Sequence, residues 1–187
     1  MSDTGTICLF YSKNILLDGS GTGALINVLT AIDCKDKNVL LPAMTCPNVA
    51  IAVYAAGAIP VYADIDLKTG NMDMQQLRKN IDEQTCAIIA VHSFGYPLDI
   101  SSIREEHKNQ IIIEDACQAY GGFVGSQPLG IFGDIGIISF GYAKPIAAGQ
   151  GAAIIIIRPH AWKKYRDILL PEPPLLQSQI KQNIFWL

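Results

Sequence analysis

The sequence predicts an α/β domain with a mostly parallel sheet, and two observations carry that expectation. Short apolar runs bounded by turn residues alternate with stretches of helical spacing, the pattern of strands joined by crossover helices. Half of the 187 residues are hydrophobic and 17% are charged, against roughly 25% charged in soluble domains. A chain of this size buries roughly 70% of its unfolded surface, so one domain with a full core is expected. Low hydrophobicity with high net charge, the mark of a disordered chain, is absent.

In chain order, the first helix is expected over Thr22 to Ile32, after the glycine- and serine-rich turn that begins at Gly19. The apolar run Asn38 to Leu41 reads as a strand. Pro47 suits a helix's first turn, so Pro47 to Ala56 reads as helix. Gly57 and Pro60 interrupt the longest apolar stretch, Val49 to Ala63. That stretch is therefore too short to span a membrane and reads as a buried helix followed by a buried strand over Val61 to Asp64. Asp73 places a negative charge at the start of a helix running to Asn80. Further strands are expected at Ala87 to Val91, Ile111 to Glu114, Ile135 to Ser139 and Ala152 to Ile157, with a helix at Ile100 to His107. After Ile157 come a basic stretch (Arg158, Lys163, Lys164, Arg166), the prolines of Pro171 to Pro174, and an amphipathic tail ending in Phe185-Trp186-Leu187.

Fourteen Lys and Arg against seventeen Asp and Glu give a formal charge of −3. With no basic excess or stripe to neutralise phosphates, nucleic acid is not an expected partner. The opening MSDTGTICLFYSKN has no basic leader joined to a continuous apolar core, which points to a cytoplasmic protein. The five cysteines (Cys8, Cys34, Cys46, Cys86, Cys117) form no CxxC pair and have no histidine at ligand spacing. They read as buried thiols in a reducing compartment rather than as a disulfide framework or a metal site.

Three segments carry chemistry. Gly19-Ser20-Gly21-Thr22-Gly23-Ala24 precedes a helix, where amides, hydroxyls and close backbone approach make a phosphate cradle; the same letters also mark ordinary turns. They fit the dinucleotide fingerprint too. That reading requires an acidic residue closing the second strand, and NVLL runs into Pro42-Ala43-Met44 instead. Glu114 and Asp115 end a run of isoleucines, at the strand edge where parallel sheets bind ligands; capping the next helix is their alternative role. Lys144 is the sole lysine between Lys108 and Lys163 and lies in apolar, glycine-rich sequence, surroundings that favour a nucleophilic amine. A phosphate cradle, a strand-end aspartate and a downstream lysine are together the parts that pyridoxal phosphate (PLP) chemistry requires.

On these residues the chain resembles the DegT/StrS-type sugar aminotransferases, PLP enzymes of fold type I. The resemblance is collinear from about Gly19 to about Ile157. It takes in Ser20-Gly21-Thr22, LLPAMTCPNVAIAV, GAIPVYADID, AIIAVHSFGYP, IIIEDACQAYG, SFGYAK and GQGAAIII. It implies a three-layer α/β sandwich, the large domain of such enzymes, over residues 1–157. Residues 158–187 would be a C-terminal extension, the start of a missing or shortened second domain. It also implies that Gly21, Thr22 and Gly23 meet the cofactor phosphate, with Ser139 as a further donor. Asp115 would pair with the pyridine nitrogen, Gln118 would lie near the ring hydroxyl, and Lys144 would hold the cofactor covalently. Cys46 falls where many relatives place an aromatic ring against the cofactor.

The sugar-dehydratase branch, which has His at the lysine position, is disfavoured by Lys144. The resemblance implies transfer of an amino group from a donor such as glutamate to a keto-sugar, in a homodimer. Relatives carry more residues before the Ser-Gly-Thr motif and a second domain after it. A shortened homologue acting as a binding or interaction subunit is therefore the alternative expectation.

Overall fold

The structure, a computed structural model, describes residues 14–158. Its main sheet has seven strands: β1 (Ile15–Asp18), β2 (Asn38–Pro42), β3 (Ile59–Ala63), β4 (Thr85–Val91), β5 (Ile111–Asp115), β8 (Ile135–Ser139) and β9 (Ala152–Ile156). Their spatial order is β1-β9-β8-β5-β4-β2-β3. From β8 to β3 all pairings are parallel, and β9 alone is reversed, running antiparallel to both neighbours. A two-stranded hairpin, β6 (Phe123–Val124) with β7 (Gln127–Pro128), stands apart from it. The helices are α1 (Gly21–Ala31), α2 (Pro47–Ala55), α3 (Met74–Asn80) and α4 (Ile100–Glu106).

Side chains alternate faces along a strand, and that alternation divides the core between two helical layers. Val39, Leu41, Ala87, Ile89, Val91, Ile113, Ile135 and Ile137 pack on one face with Leu25, Val28 and Leu29 of α1 and Val49 and Val53 of α2. Leu40, Ile88, Ala90 and Ile112 pack on the other with Leu77 of α3 and Ile100 and Ile103 of α4. The expected three-layer sandwich around a mostly parallel sheet is thus what the chain forms.

Local signals act as their chemistry requires. Asp73 caps α3 by accepting from the amides of Gln75 (2.8 Å) and Gln76 (2.9 Å), and Pro47 occupies the first turn of α2. One expectation is corrected. The stretch from Val49 to Ala63 is not buried throughout, because β3 is the edge strand of the sheet. Ile59 and Tyr62 on β3, and Ile51 and Tyr54 on α2, are exposed. Strand β1 and the hairpin were not among the expected elements. Apart from Arg158, the expected C-terminal extension (residues 159–187) lies outside the described residues, as does Cys8.

One glycine is fixed by close approach. A Cβ at Gly136 in β8 would collide with the carbonyl oxygen of Gly130. Gly136→Ala is expected to cost about 1–3 kcal/mol, the usual penalty of overpacking, seen as a lower urea midpoint; an unchanged midpoint would refute the packing.

Candidate active site

Parallel strands bring their C-terminal ends to one edge, and the chemistry-bearing residues collect there. Helix α1 begins at that edge. Ser20 caps it, its Oγ accepting from Gly23 N at 3.0 Å and its carbonyl from Ala24 N at 2.9 Å. The amides of Gly21 and Thr22 have no partner within the helix, and they carry the positive end of its dipole. Gly21 leaves the approach to the helix start open: a Cβ there would lie 3.3 Å from Ser139 Cβ, a tight contact, and 3.4 Å from its Oγ. Ser139 ends β8. Its Oγ accepts from Gly141 N at 3.3 Å, which leaves its proton to donate.

Asp115 ends β5 and is 5% exposed. One carboxylate oxygen, Oδ1, accepts from Cys117 N at 3.0 Å, and the Cys117 thiol hydrogen-bonds to the same carboxylate. Burial, and after it the Asp115 carboxylate, pushes the Cys117 thiol well above its ordinary pKa, so Cys117 stays protonated at neutral pH. Lys144 is half-buried in a loop that closes on itself, Ala148 N donating to Phe140 O and Phe140 N to Gly151 O. The residue before it, Ala143, has φ 61°, a left-handed conformation costing an L-residue roughly 1–2 kcal/mol. Ala143→Gly is therefore expected to leave thermal stability unchanged or raised. Ala143→Val, whose branched side chain is worse there, should lower it by about 1 kcal/mol; equal melting temperatures for the two variants would exclude the strain.

A single cavity of about 220 Å³ joins these groups. Of the residues singled out in the sequence, Gly21, Thr22, Cys46, Asp115, Ser139 and Lys144 line it. Gly23 and Gln118 do not. Gly23 has its amide on Ser20 Oγ, and its Cα packs on Asp18, whose Oδ1 a Cβ would approach to 2.5 Å. Gln118 is exposed and accepts, through Oε1, from Phe94 N at 2.9 Å. Cys46 is exposed at the cavity mouth rather than buried, because it is the residue before Pro47 at the start of α2 and its thiol caps nothing. Ser20, from the expected cradle segment, lines the cavity as well; Asn48 and Cys117 also line it and were given no site role in the sequence. Cys117 was detectable as the second residue past the strand-end aspartate, the reach of a local side chain to backbone turn.

Glu114 does not join Asp115. It is fully buried on the far side of β5. Its carboxylate accepts from Gly130 N (2.5 Å) and His92 Nε2 (2.9 Å) on Oε1, and from Phe132 N (2.5 Å) and Gly133 N (2.8 Å) on Oε2. His92 Nδ1 accepts from Leu98 N at 3.0 Å, so the ring proton sits on Nε2. Its backbone N donates to Asp115 O at 3.1 Å. The loop after β4 is tied down again by buried Asn71, which accepts from Ser93 N (2.9 Å) and donates to Tyr96 O (3.1 Å).

The donor set has a definite chemical fit. Two helix-terminal amides and two hydroxyls suit a phosphate, a buried carboxylate suits a protonated ring nitrogen, and a primary amine suits an aldehyde. The glycine at 21 keeps open the room that a side chain would fill.

Known proteins resemble this chain in sequence and in fold. The chain is 35% identical over 154 residues to the UDP-N-acetyl-3-dehydro-α-D-glucosamine 3-aminotransferase of Acidithiobacillus ferrooxidans, covering 80% of this chain and 42% of that one. An aminotransferase of Psychrobacter cryohalolentis superposes with a TM-score of 0.77 at 30% identity, over 83% of this chain and 40% of that one. A GDP-4-keto-6-deoxy-D-mannose-3-dehydratase of E. coli, solved with bound hydrated PLP, gives 0.75 at 25% identity, over 82% and 42%. The chain thus spans less than half the length of these relatives. Among the described residues no helix is long and apolar enough to cross a membrane. With residues 12–173 matched by its family model, the chain belongs to the DegT/DnrJ/EryC1/StrS aminotransferase family.

Proposed function

We propose that this chain binds pyridoxal 5′-phosphate, with residues 1–157 as its cofactor-binding domain, and transfers an amino group from a donor such as glutamate to a nucleotide-linked keto-sugar. The observation that supports it most is the convergence of Gly21, Thr22, Ser139, Asp115 and Lys144 on one cavity. Lysine at 144 favours amine transfer over the dehydratase chemistry that some relatives' names describe.

The amides of Gly21 and Thr22 and the hydroxyls of Thr22 and Ser139 would hold the phosphate. Asp115, pinned by Cys117 N, would use its remaining oxygen to keep the ring nitrogen protonated. PLP supplies an electron sink for negative charge on the carbon that bears the amine. Lys144 Nζ would tether the cofactor at rest, then take up and return a proton as general base and acid during transfer. Met44, Phe94, Tyr96 and Tyr142 are exposed on loops after β2, β4 and β8, which supports self-association at this edge.

The test is spectroscopic. The purified chain incubated with PLP should absorb in the visible; glutamate should bleach the band with release of 2-oxoglutarate, and a keto-sugar nucleotide should restore it. A colourless protein refutes the reading. Colour without transfer to any keto-sugar would favour an interaction subunit instead.

A further inference from the structure

At the opposite edge of the sheet from the cavity, two cysteines that the proposed reaction does not use stand against each other. Cys34 follows α1 and is fully buried, while Cys86 is the second residue of β4 and is half-buried. Their Sγ atoms are 2.6 Å apart. That is far inside ordinary contact between unbonded sulfurs and close to the ~2.05 Å of a disulfide. The two sulfurs differ in access. Cys86 lines an open surface cleft with Lys37, Glu83, Gln84 and Asn109, whereas Cys34 lies behind it in the core. The hydrogen bond to Cys86, and then burial, push the Cys34 thiol far above its ordinary pKa, so in the reduced protein it stays a thiol, and either sulfur can donate to the other.

We propose that Cys34 and Cys86 are a covalent modification site: an intrachain disulfide formed by a peroxide that enters through the Cys86 cleft. In the first step the Cys86 sulfur attacks a peroxide oxygen and the O–O bond breaks. Water leaves and Cys86 becomes a sulfenic acid. In the second the Cys34 sulfur attacks the Cys86 sulfur, the S–O bond breaks, and the Cys34 proton leaves with the hydroxyl as a second water. Two thiols are oxidised by two electrons and one peroxide is reduced to two waters. The bond would tie the C-terminal end of α1 to the start of β4, closing the intervening chain that carries β2, α2, β3 and α3. The N-terminal end of the same helix is the phosphate cradle, so the cross-link would anchor that helix without touching the cavity.

The experiment uses the full 187-residue chain, reduced, exchanged into buffer and treated with one equivalent of hydrogen peroxide, then alkylated under denaturing conditions and digested with trypsin. The expected result is a reducible peptide joining Asn14–Lys35 to Asn80–Arg104. A rise in melting temperature of about 5–10 °C, reversed by dithiothreitol, should accompany it. Cys86→Ser should lose both effects while the reduced proteins melt alike; Cys34→Ala serves as the second variant if that one folds poorly. Alkylation of both cysteines after oxidation would overturn the proposal, as would Cys86 found as sulfinic acid beside an intact Cys34 thiol. A linkage of either to Cys46 or Cys117 would overturn it too.

Discussion

Glu114→Ala is expected to leave little folded protein. The carboxylate is wholly buried and accepts from three backbone amides and from His92 Nε2. Alanine would orphan all four donors in a fully buried site, at about 1–3 kcal/mol for each buried unsatisfied group. Even with relaxation, the loss should reach the ~3–5 kcal/mol seen when one partner of a buried pair is removed. That is a large part of the ~5–15 kcal/mol that holds a domain together. Glu114→Gln keeps the shape but offers only one acceptor oxygen, so one end of the amide would point hydrogens at N–H donors; it should fall between wild type and alanine. Urea denaturation of the soluble fractions measures both. A midpoint for Glu114→Ala matching wild type would show that the segment from Gly130 to Gly133 is held by something else.

The same carboxylate shows how far the sequence could be read. Glu114 and Asp115 look alike as letters, two acids closing an isoleucine run at a strand's C-terminal end. Strand alternation sends neighbouring side chains to opposite faces, so one of the pair had to turn away from the ligand edge. Which one was not readable, because it depends on Gly130, Phe132 and Gly133 returning from a distant loop to supply amides. Helix and strand positions were legible wherever a local cause acts, as at Asp73 and Pro47. The edge position of β3 was not, since an apolar run reads the same whether a neighbouring strand covers both its sides or one. Within the cavity, Gly21 and Thr22 at a helix start and Asp115 at a strand end were legible from the residues, while Ser139 was legible by resemblance. Gln118, placed by a hydrogen bond to the left-handed loop residue Phe94, was legible only by resemblance, and it lies outside the cavity lining.

Lys144→Ala should abolish covalent capture of PLP altogether. Among the described residues no other lysine lines the cavity, so wild-type protein treated with PLP and then borohydride should carry the label on the peptide containing Lys144, and the variant should carry none there. Loose binding should survive in the variant, because the amides of Gly21 and Thr22, the Ser139 hydroxyl and Asp115 remain; a dialysable cofactor without the visible band of the tethered form is the expected signature. Amine transfer should fall by about 10²–10⁴-fold, the share that a positioned acid and base supplies. Lys144→Arg separates charge from chemistry. The guanidinium keeps the positive charge but cannot be deprotonated to act as a nucleophile, so this variant should bind PLP better than alanine and be labelled no more than it. Label on another lysine of the Lys144→Ala protein would mean that the cavity is not where the amine acts. Label lost equally from a Gly21→Ala protein would be consistent with the cradle, since a Cβ at 21 meets Ser139 and Cys117. Lysine and glycine, on separate elements at one sheet edge, would then be acting on one cofactor from its two ends.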